Sequence, residues 1–317
     1  MKFVFLDQDE LISHDSYLDP LRKYGEVALY GDVPTTKAEI IRRAQHSDVI
    51  FFALTHFTKE ILDGLPNLKI LQFLGTGVWD RVDVEYARSK GIKVLNVEGY
   101  GNNAVAEFTI ACTLSLARNI PRADRRMREK KWSLRGLRGI EIKGSTFGIV
   151  GTGKIGSLVA KKASLLGANV IAYDVLKSEE LQKVYKVKYV TLKELFSMSD
   201  IISIHAKATK ENVKLINREL INTMPRNTLF INTARAELVD YESLYEALAN
   251  NKIKGAAIDV FECEPPLDFK LSNLDNVITT PHMGFYTQRS GKNLLNRAIS
   301  SVINEIKAGP NQSQISI

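Results

Sequence analysis

Gly151, Gly153 and Gly156, in the stretch FGIVGTGKIGSLVA, stand at the spacing G-x-G-x-x-G. An apolar strand pattern runs into the first glycine and a helix pattern opens behind the second, the context in which this spacing carries chemistry. The first glycine permits a tight turn, the second lets backbone approach a pyrophosphate, and the third lets the helix pack on the strand. Amides at such a helix start, where Lys154 and Ile155 lie, favour phosphate oxygens. A further strand pattern, NVIAYD, ends in Asp174, about twenty residues on, where a carboxylate accepts both hydroxyls of an adenosine ribose. The expected ligand is therefore a dinucleotide. Asp174 favours NAD over NADP because it repels a ribose phosphate, while Lys177 nearby pulls the other way.

These residues need a sheet to place them. KFVFLD, DVIFFAL, LKILQFLG and KVLNV read as strands, with TTKAEIIRRAQHS and VDVEYARSKG as helices between them. A long helix over about residues 104–119, stopped near Pro121, and a loop around KWSLRGLRGIEIKGS lead to a second set. Its strands are TFGIVG, NVIAYD, DIISIHA, TLFINTA, GAAIDVF and NVITTPH, and KNLLNRAISSVINEIKAG reads as a last amphipathic helix. Strands alternating with helices predict parallel sheets. Three stretches, FINTARAELVD, AAIDVFECEPP and ITTPHMGF, fall at carboxyl ends of predicted strands, where an open α/β sheet places its ligands.

Length and composition fit this picture. The chain has 317 residues, 44% hydrophobic and 25% charged, enough for two globular domains. No apolar run reaches membrane-spanning length and no export signal is read at the start. Cys112 and Cys263 lack the number and spacing of a disulfide framework or a metal site, which suits a reducing cytoplasm and an enzyme without metal. A net charge of +7 raises a nucleic-acid partner. Much of that charge lies in residues 117–138, which also carry Asp124 and Glu129 and lack interleaved base-stacking aromatics. A solvated or subunit-contacting helix end is expected there, with attraction of a small anion as the lesser reading.

Taken together, FLGTGVWDRVD, VLNVEGYGNNAVAEF, GIVGTGKIG and the order Arg, Glu, His in the last third resemble the D-isomer-specific 2-hydroxyacid dehydrogenase family over nearly the whole chain. The resemblance implies two Rossmann-like α/β domains with parallel sheets. An NAD domain of residues 101–281 is inserted in a smaller, flavodoxin-like substrate domain of residues 1–100 and 282–317. It implies that Arg235 anchors and polarises a 2-oxo acid, that His282 is the catalytic acid/base, and that Glu264 orients the ring and favours its protonated form. By the same resemblance Gly75, Thr76 and Gly77 receive the substrate carboxylate through backbone amides. Asp259 falls near the nicotinamide, and His205, Thr233, Ala234, His282 and Gly284 fall in the cofactor cleft. Trp79 is read either as a pocket wall or as packing, and Cys263 as a small packing residue.

The match departs from the family's usual residues at several places. Ala236 follows Arg235 where glycine is common, Lys207 replaces a usual proline, Gly101 stands for a polar side chain, and Arg289 for an acidic one. These positions surround the expected pocket, so they bear on substrate identity. The expected reaction is hydride transfer between nicotinamide C4 and C2 of a small 2-hydroxy or 2-oxo acid, in a cleft that closes to exclude water. 3-Phosphoglycerate oxidation, at the start of serine synthesis, comes first, and glyoxylate or hydroxypyruvate reduction is the close alternative. An NAD-sensing corepressor is the reading from another class, disfavoured by short termini. The resemblance also implies a homodimer formed through the long helix and the basic segment.

Overall fold

The computed structural model describes residues 1–7, 11, 12, 14–79 and 81–308. Residues 309–317, assigned above to the substrate domain, and Asp80 of the FLGTGVWDRVD stretch lie outside the described residues. The chain divides into two compact units, Met1–Gly101 with Thr287–Ile317, and Asn102–Tyr286. His282 and Gly284 thus pack with the second unit.

The first unit holds a five-stranded parallel sheet: β1 (Lys2–Phe5), β2 (Glu26–Leu29), β3 (Val49–Phe52), β4 (Ile70–Phe73) and β5 (Lys93–Leu95). Its order, β2-β1-β3-β4-β5, is the flavodoxin-like winding. Central strands buried on both faces read as unbroken apolar runs, and β1 and β3 do so. Phe5 stacks on Phe51 with ring centroids 4.2 Å apart. The Gln288–Ala308 helix lays Leu294, Leu295, Ala298, Ile299 and Val302 on that face. The sequence pattern had not marked β2, a four-residue edge strand with no fully buried position.

The second unit holds β6 (Thr146–Val150), β7 (Asn169–Tyr173), β8 (Lys188–Tyr189), β9 (Ile201–Ile204), β10 (Leu229–Asn232), β11 (Gly255–Ile258) and β12 (Val277–Thr279). All pairs are parallel and the order is β12-β11-β10-β9-β6-β7-β8, the Rossmann winding with its reversal between β6 and β9. The Asn102–Ala117 and Lys154–Leu165 helices cover one face through Ala106, Leu116, Val159 and Ala163. Leu195, Phe196, Ile221 and Leu244 cover the other. The basic segment is more than a helix end. Asn119 turns left-handed at φ 53°, Pro121 fits the next first turn, and a separate helix runs over Ile120–Arg128. No helix among the described residues is long and apolar enough to cross a membrane.

Candidate active site

The turn after β6 divides its glycine roles by contact. Gly151 has φ +92°, donates its amide to the Tyr173 carbonyl at 2.8 Å, and lies so near β9 that a Cβ would stand 2.5 Å from the Ala206 nitrogen. A Cβ on Gly156 would drive into the Gly151 carbonyl oxygen. Gly153, which caps the Lys154–Leu165 helix, has nothing within 4 Å of its Cβ position. Lys154 is exposed there, while Ile155 packs into the core beneath. Two glycines therefore close the turn and the exposed third leaves room for an approaching phosphate, which fits a dinucleotide pyrophosphate.

Asp174 follows β7 and is tied to that turn. Its Oδ2 accepts the Thr152 amide at 2.5 Å and the Thr152 hydroxyl at 3.2 Å, and its Oδ1 accepts the Leu176 amide at 3.0 Å. Tyr189, on the unforeseen short strand β8, shares a hydrogen bond of 2.9 Å with Thr152 and receives the Ser178 amide at 3.0 Å. A carboxylate held this way retains lone pairs for ribose hydroxyls.

His205 leaves β9 with its amide on the Val150 carbonyl at 2.7 Å, and its Nε2 is hydrogen-bonded to Ser203 Oγ at 2.7 Å. Burial pushes its imidazole down to about 3, so the ring is neutral at ordinary pH. Lys207 stands in the usual proline's place, where a freer backbone could loosen this loop. Asn212 pins it instead, donating Nδ2 to the Lys207 carbonyl and accepting the Thr209 amide, both at 2.8 Å.

The buried Asn232, last residue of β10, organises the loop that carries Arg235. Its Oδ1 accepts the Ala234 amide at 3.0 Å, while its Nδ2 donates to the Arg235 carbonyl at 3.0 Å and to Tyr241 Oη at 3.1 Å. Thr233 Oγ1 meets Thr109 Oγ1 at 2.8 Å. Arg235 is half-buried, with Nη1 on the Ala234 carbonyl at 2.8 Å. Ala236 begins a short 3-10 turn and is not among the residues with positive φ, so glycine's freedom is not needed there.

Past β11, Asp259 is 2% exposed and spends both oxygens on the turn that presents His282. Oδ1 accepts Thr280 Oγ1 at 2.6 Å and the Met283 amide at 2.9 Å, and Oδ2 accepts the Gly284 amide at 2.9 Å. His282 itself holds a left-handed φ of 52°. Its Nδ1 meets Glu264 Oε2 at 2.8 Å, while Glu264 Oε1 accepts the Phe261 amide at 3.1 Å. With Nδ1 engaged, Nε2 is the nitrogen left for a reacting group. Cys263 is exposed, which corrects its reading as a packing residue.

In the first unit, Gly75, Thr76 and Gly77 follow β4 in a loop stitched to the segment after β5. Val97 N donates to the Gly75 carbonyl at 2.8 Å, Asn96 Nδ2 to the Thr76 carbonyl at 2.6 Å, and Thr76 Oγ1 to the Val97 carbonyl at 3.1 Å. Trp79 is exposed, outside the core. Two features here had escaped the sequence reading. Arg81 Nη1 holds the Leu54 carbonyl at 3.0 Å and His56 Nε2 at 2.9 Å. Fully buried Asp7, just past β1, accepts the amides of Ala53, Leu54 and Thr55 at 2.6–2.9 Å and the Thr55 hydroxyl at 2.6 Å. Burial pushes its carboxyl up against the pull of those donors. An acidic residue ending a strand was the one signal that marked Asp7.

Residues 110–284 match the family model described as D-isomer specific 2-hydroxyacid dehydrogenase, NAD binding domain. The chain belongs to this dehydrogenase family. It is similar to a hydroxypyruvate reductase of Thermotoga maritima, 39% identical over 85% of this chain and 88% of that one. It is also similar to the D-3-phosphoglycerate dehydrogenase of Methanocaldococcus jannaschii, 38% identical over 88% of this chain but 53% of the relative, so it spans about half of that protein's length. Among solved structures, D-lactate dehydrogenase from Aquifex aeolicus, complexed with NAD and lactic acid, superposes with a TM-score of 0.82 at 31% identity, covering 97% of this chain and 95% of that one. The glycine turn and Asp174 thus lie within this family's NAD-binding domain, and NAD is the cofactor.

Proposed function

We propose that this chain is an NAD-dependent oxidoreductase that interconverts a small D-2-hydroxy acid and its 2-oxo acid. The observation that carries the reading is the 2.8 Å Glu264–His282 pair, presented by a turn locked to Asp259 in the same unit as the glycine turn. NAD, when bound, exchanges a hydride with substrate C2 through its nicotinamide C4. Gly151, Gly153, Lys154, Ile155 and Gly156 would hold the pyrophosphate and Asp174 the ribose, while His205, Thr233, Ala234, Asp259, His282 and Gly284 would border the remainder. His282 Nε2 delivers the proton to the carbonyl oxygen in reduction and removes it from the hydroxyl in oxidation. Glu264 orients the ring through Nδ1. Arg235 stabilises negative charge on the substrate oxygen. The amides of Gly75, Thr76 and Gly77 are assigned to the substrate carboxylate.

The first substrate proposed is 3-phosphoglycerate, supported by a ribose carboxylate that suits NAD-linked oxidation and by relatives of that name. Hydroxypyruvate or glyoxylate reduction is the second reading, supported by relatives of those names at similar identity. We assign a homodimer to the Asn102–Ala117 helix and the basic segment, where Trp132 and Leu134 expose apolar surface. A cytoplasmic location belongs to the same proposal.

Initial rates with 3-phosphoglycerate plus NAD, and with hydroxypyruvate and glyoxylate plus NADH, test the substrate. Efficient NAD-linked oxidation of phosphoglycerate supports the first reading and preference for the keto acids the second. No turnover with any 2-hydroxy or 2-oxo acid overturns both. Repeating the assay with NADP and with Asp174→Ala tests the ribose reader, whose loss should narrow the preference for NAD.

A further inference from the structure

The geometry points to a second ligand site in the Asn102–Tyr286 unit, at the amino edge of its sheet: a pocket for a small phosphoryl anion, built on Arg122 and Lys254. A cavity of about 30 Å³ opens against Leu229, Gly255 and Val277, the first residues of β10, β11 and β12. A water needs roughly 10–15 Å³ by this measure, so the space takes two or three waters or one tetrahedral oxyanion. Dinucleotides bind beyond the carboxyl ends of such strands, and the glycine turn lies there, after β6. The amino-edge pocket is therefore separate from the cofactor turn; it borders the segment proposed above as a subunit contact, so it is tested on the assembled protein.

Its lining is largely apolar but carries three cationic residues, Arg122, Arg125 and Lys254, against one carboxylate, Asp275. Arg122 and Arg125 lie one turn apart on the Ile120–Arg128 helix and so share a face. Lys254, just before β11, and Ser115 also line it. Arg125 is matched by Asp275 at 2.8 Å. Among the described residues no carboxylate lies within ion-pair distance of Arg122 or Lys254; Arg122 Nη1 reaches the Gly136 carbonyl at 3.5 Å, and the lining carries more positive than negative charge. Burial pulls the Lys254 ammonium below the usual lysine range, so an anion beside it would restore lost solvation. A guanidinium fork and an ammonium together suit phosphate oxygens. The floor admits no added side chain at Gly255, where a Cβ would stand 2.5 Å from the Asn276 carbonyl oxygen.

The same three strands lead, at their other ends, to the loops of Arg235, Asp259 and His282. At ~3.3 Å per residue the two ends lie on the order of 10 Å apart. An anion bridging the basic helix to these strand starts favours the folded arrangement by mass action.

The test titrates inorganic phosphate and methyl phosphate into the full chain by calorimetry, at constant ionic strength, with sodium chloride as control and with NADH saturating so that the cofactor turn does not compete. One saturable site per chain is expected, weakened roughly tenfold or more in Arg122→Gln and in Lys254→Met, the scale of one charge-assisted bond. Both variants should unfold near the wild-type midpoint in phosphate-free buffer. Binding of both probes supports recognition of a phosphoryl group carried on an ester, and binding of inorganic phosphate alone supports the free anion. Absence of saturable binding in the wild type, or unchanged binding in both variants, overturns the site. Neither variant touches Glu264 or His282 and no turnover is read, so failure of the proposed activity would not mimic failure here.

Discussion

Asp259 Oδ1 accepts the Met283 amide at 2.9 Å, so a buried carboxylate past β11 fixes the backbone on which His282 stands. With Thr280 Oγ1 and Gly284 N also donating to it, the side chain is surrounded by donors. Asp259→Asn must turn an amide NH₂ toward at least one of them. Leaving a buried donor unpaired costs roughly 1–3 kcal/mol. We expect a lowered unfolding midpoint together with turnover reduced tenfold or more. An Asn variant with wild-type turnover would show that the turn holds His282 without this carboxylate.

The Glu264–His282 pair separates function from stability. Its side chains are 27% and 37% exposed, and exposed ion pairs contribute little to folding. His282→Ala should cut turnover by about 10²–10⁴, the range for a positioned acid/base, with NADH binding and unfolding midpoint nearly unchanged. Glu264→Gln, which retains an acceptor but loses the charge, should fall between that variant and the wild type. Single-turnover hydride transfer reads this directly, and wild-type rates in both variants would move the acid/base elsewhere.

How far such residues are legible depends on where their partners lie. The glycine turn and its flanking strands stand out because turn, strand and helix signals fall within fourteen consecutive residues. The triple acceptance by Asp259 does not, because its donors come from a turn more than twenty positions later. Asp7 is hidden for the same reason, its donors lying past β3. Strands β2 and β8 are too short and too exposed to show a period. The Ile120–Arg128 helix went unread because Pro121, which reads as a stop, instead fits the first turn of a new helix that opens after the left-handed Asn119. Cys263 read as packing because the expected chemistry needs no thiol, whereas it lies exposed between Glu262 and Glu264.

His205 makes stability depend on pH with a definite sign. Its folded pKa of about 3 lies below the ordinary 6.5, so below pH 6.5 the unfolded chain binds more protons at this ring. The ring's share of stability is complete above pH 6.5 and is lost as pH falls toward 3. At pH 5 the loss amounts to about 2 kcal/mol. His205→Gln removes that dependence, and urea unfolding at pH 7 and pH 5 should show a smaller drop than in the wild type. Equal drops would mean that the ring is solvated in the folded chain.

Gly153 and Gly156 make opposite predictions from the same substitution. At Gly156 an added Cβ meets the carbonyl of Gly151, itself fixed by its contact with β9, so neither side can retreat. Gly156→Ala should lose roughly 1–3 kcal/mol or more, as overpacking does. At Gly153 the Cβ enters open space from a φ of −66° that any residue adopts, and alanine for glycine at a helix cap costs no more than about 1 kcal/mol. Gly153→Ala should therefore fold almost normally and yet bind NADH at least tenfold more weakly, because the methyl occupies the approach path of the pyrophosphate. Chemical unfolding and fluorescence titration of the two variants give a crossed pattern if the glycines divide turn from ligand. Intact NADH affinity in Gly153→Ala would mean that the pyrophosphate crosses the helix start elsewhere.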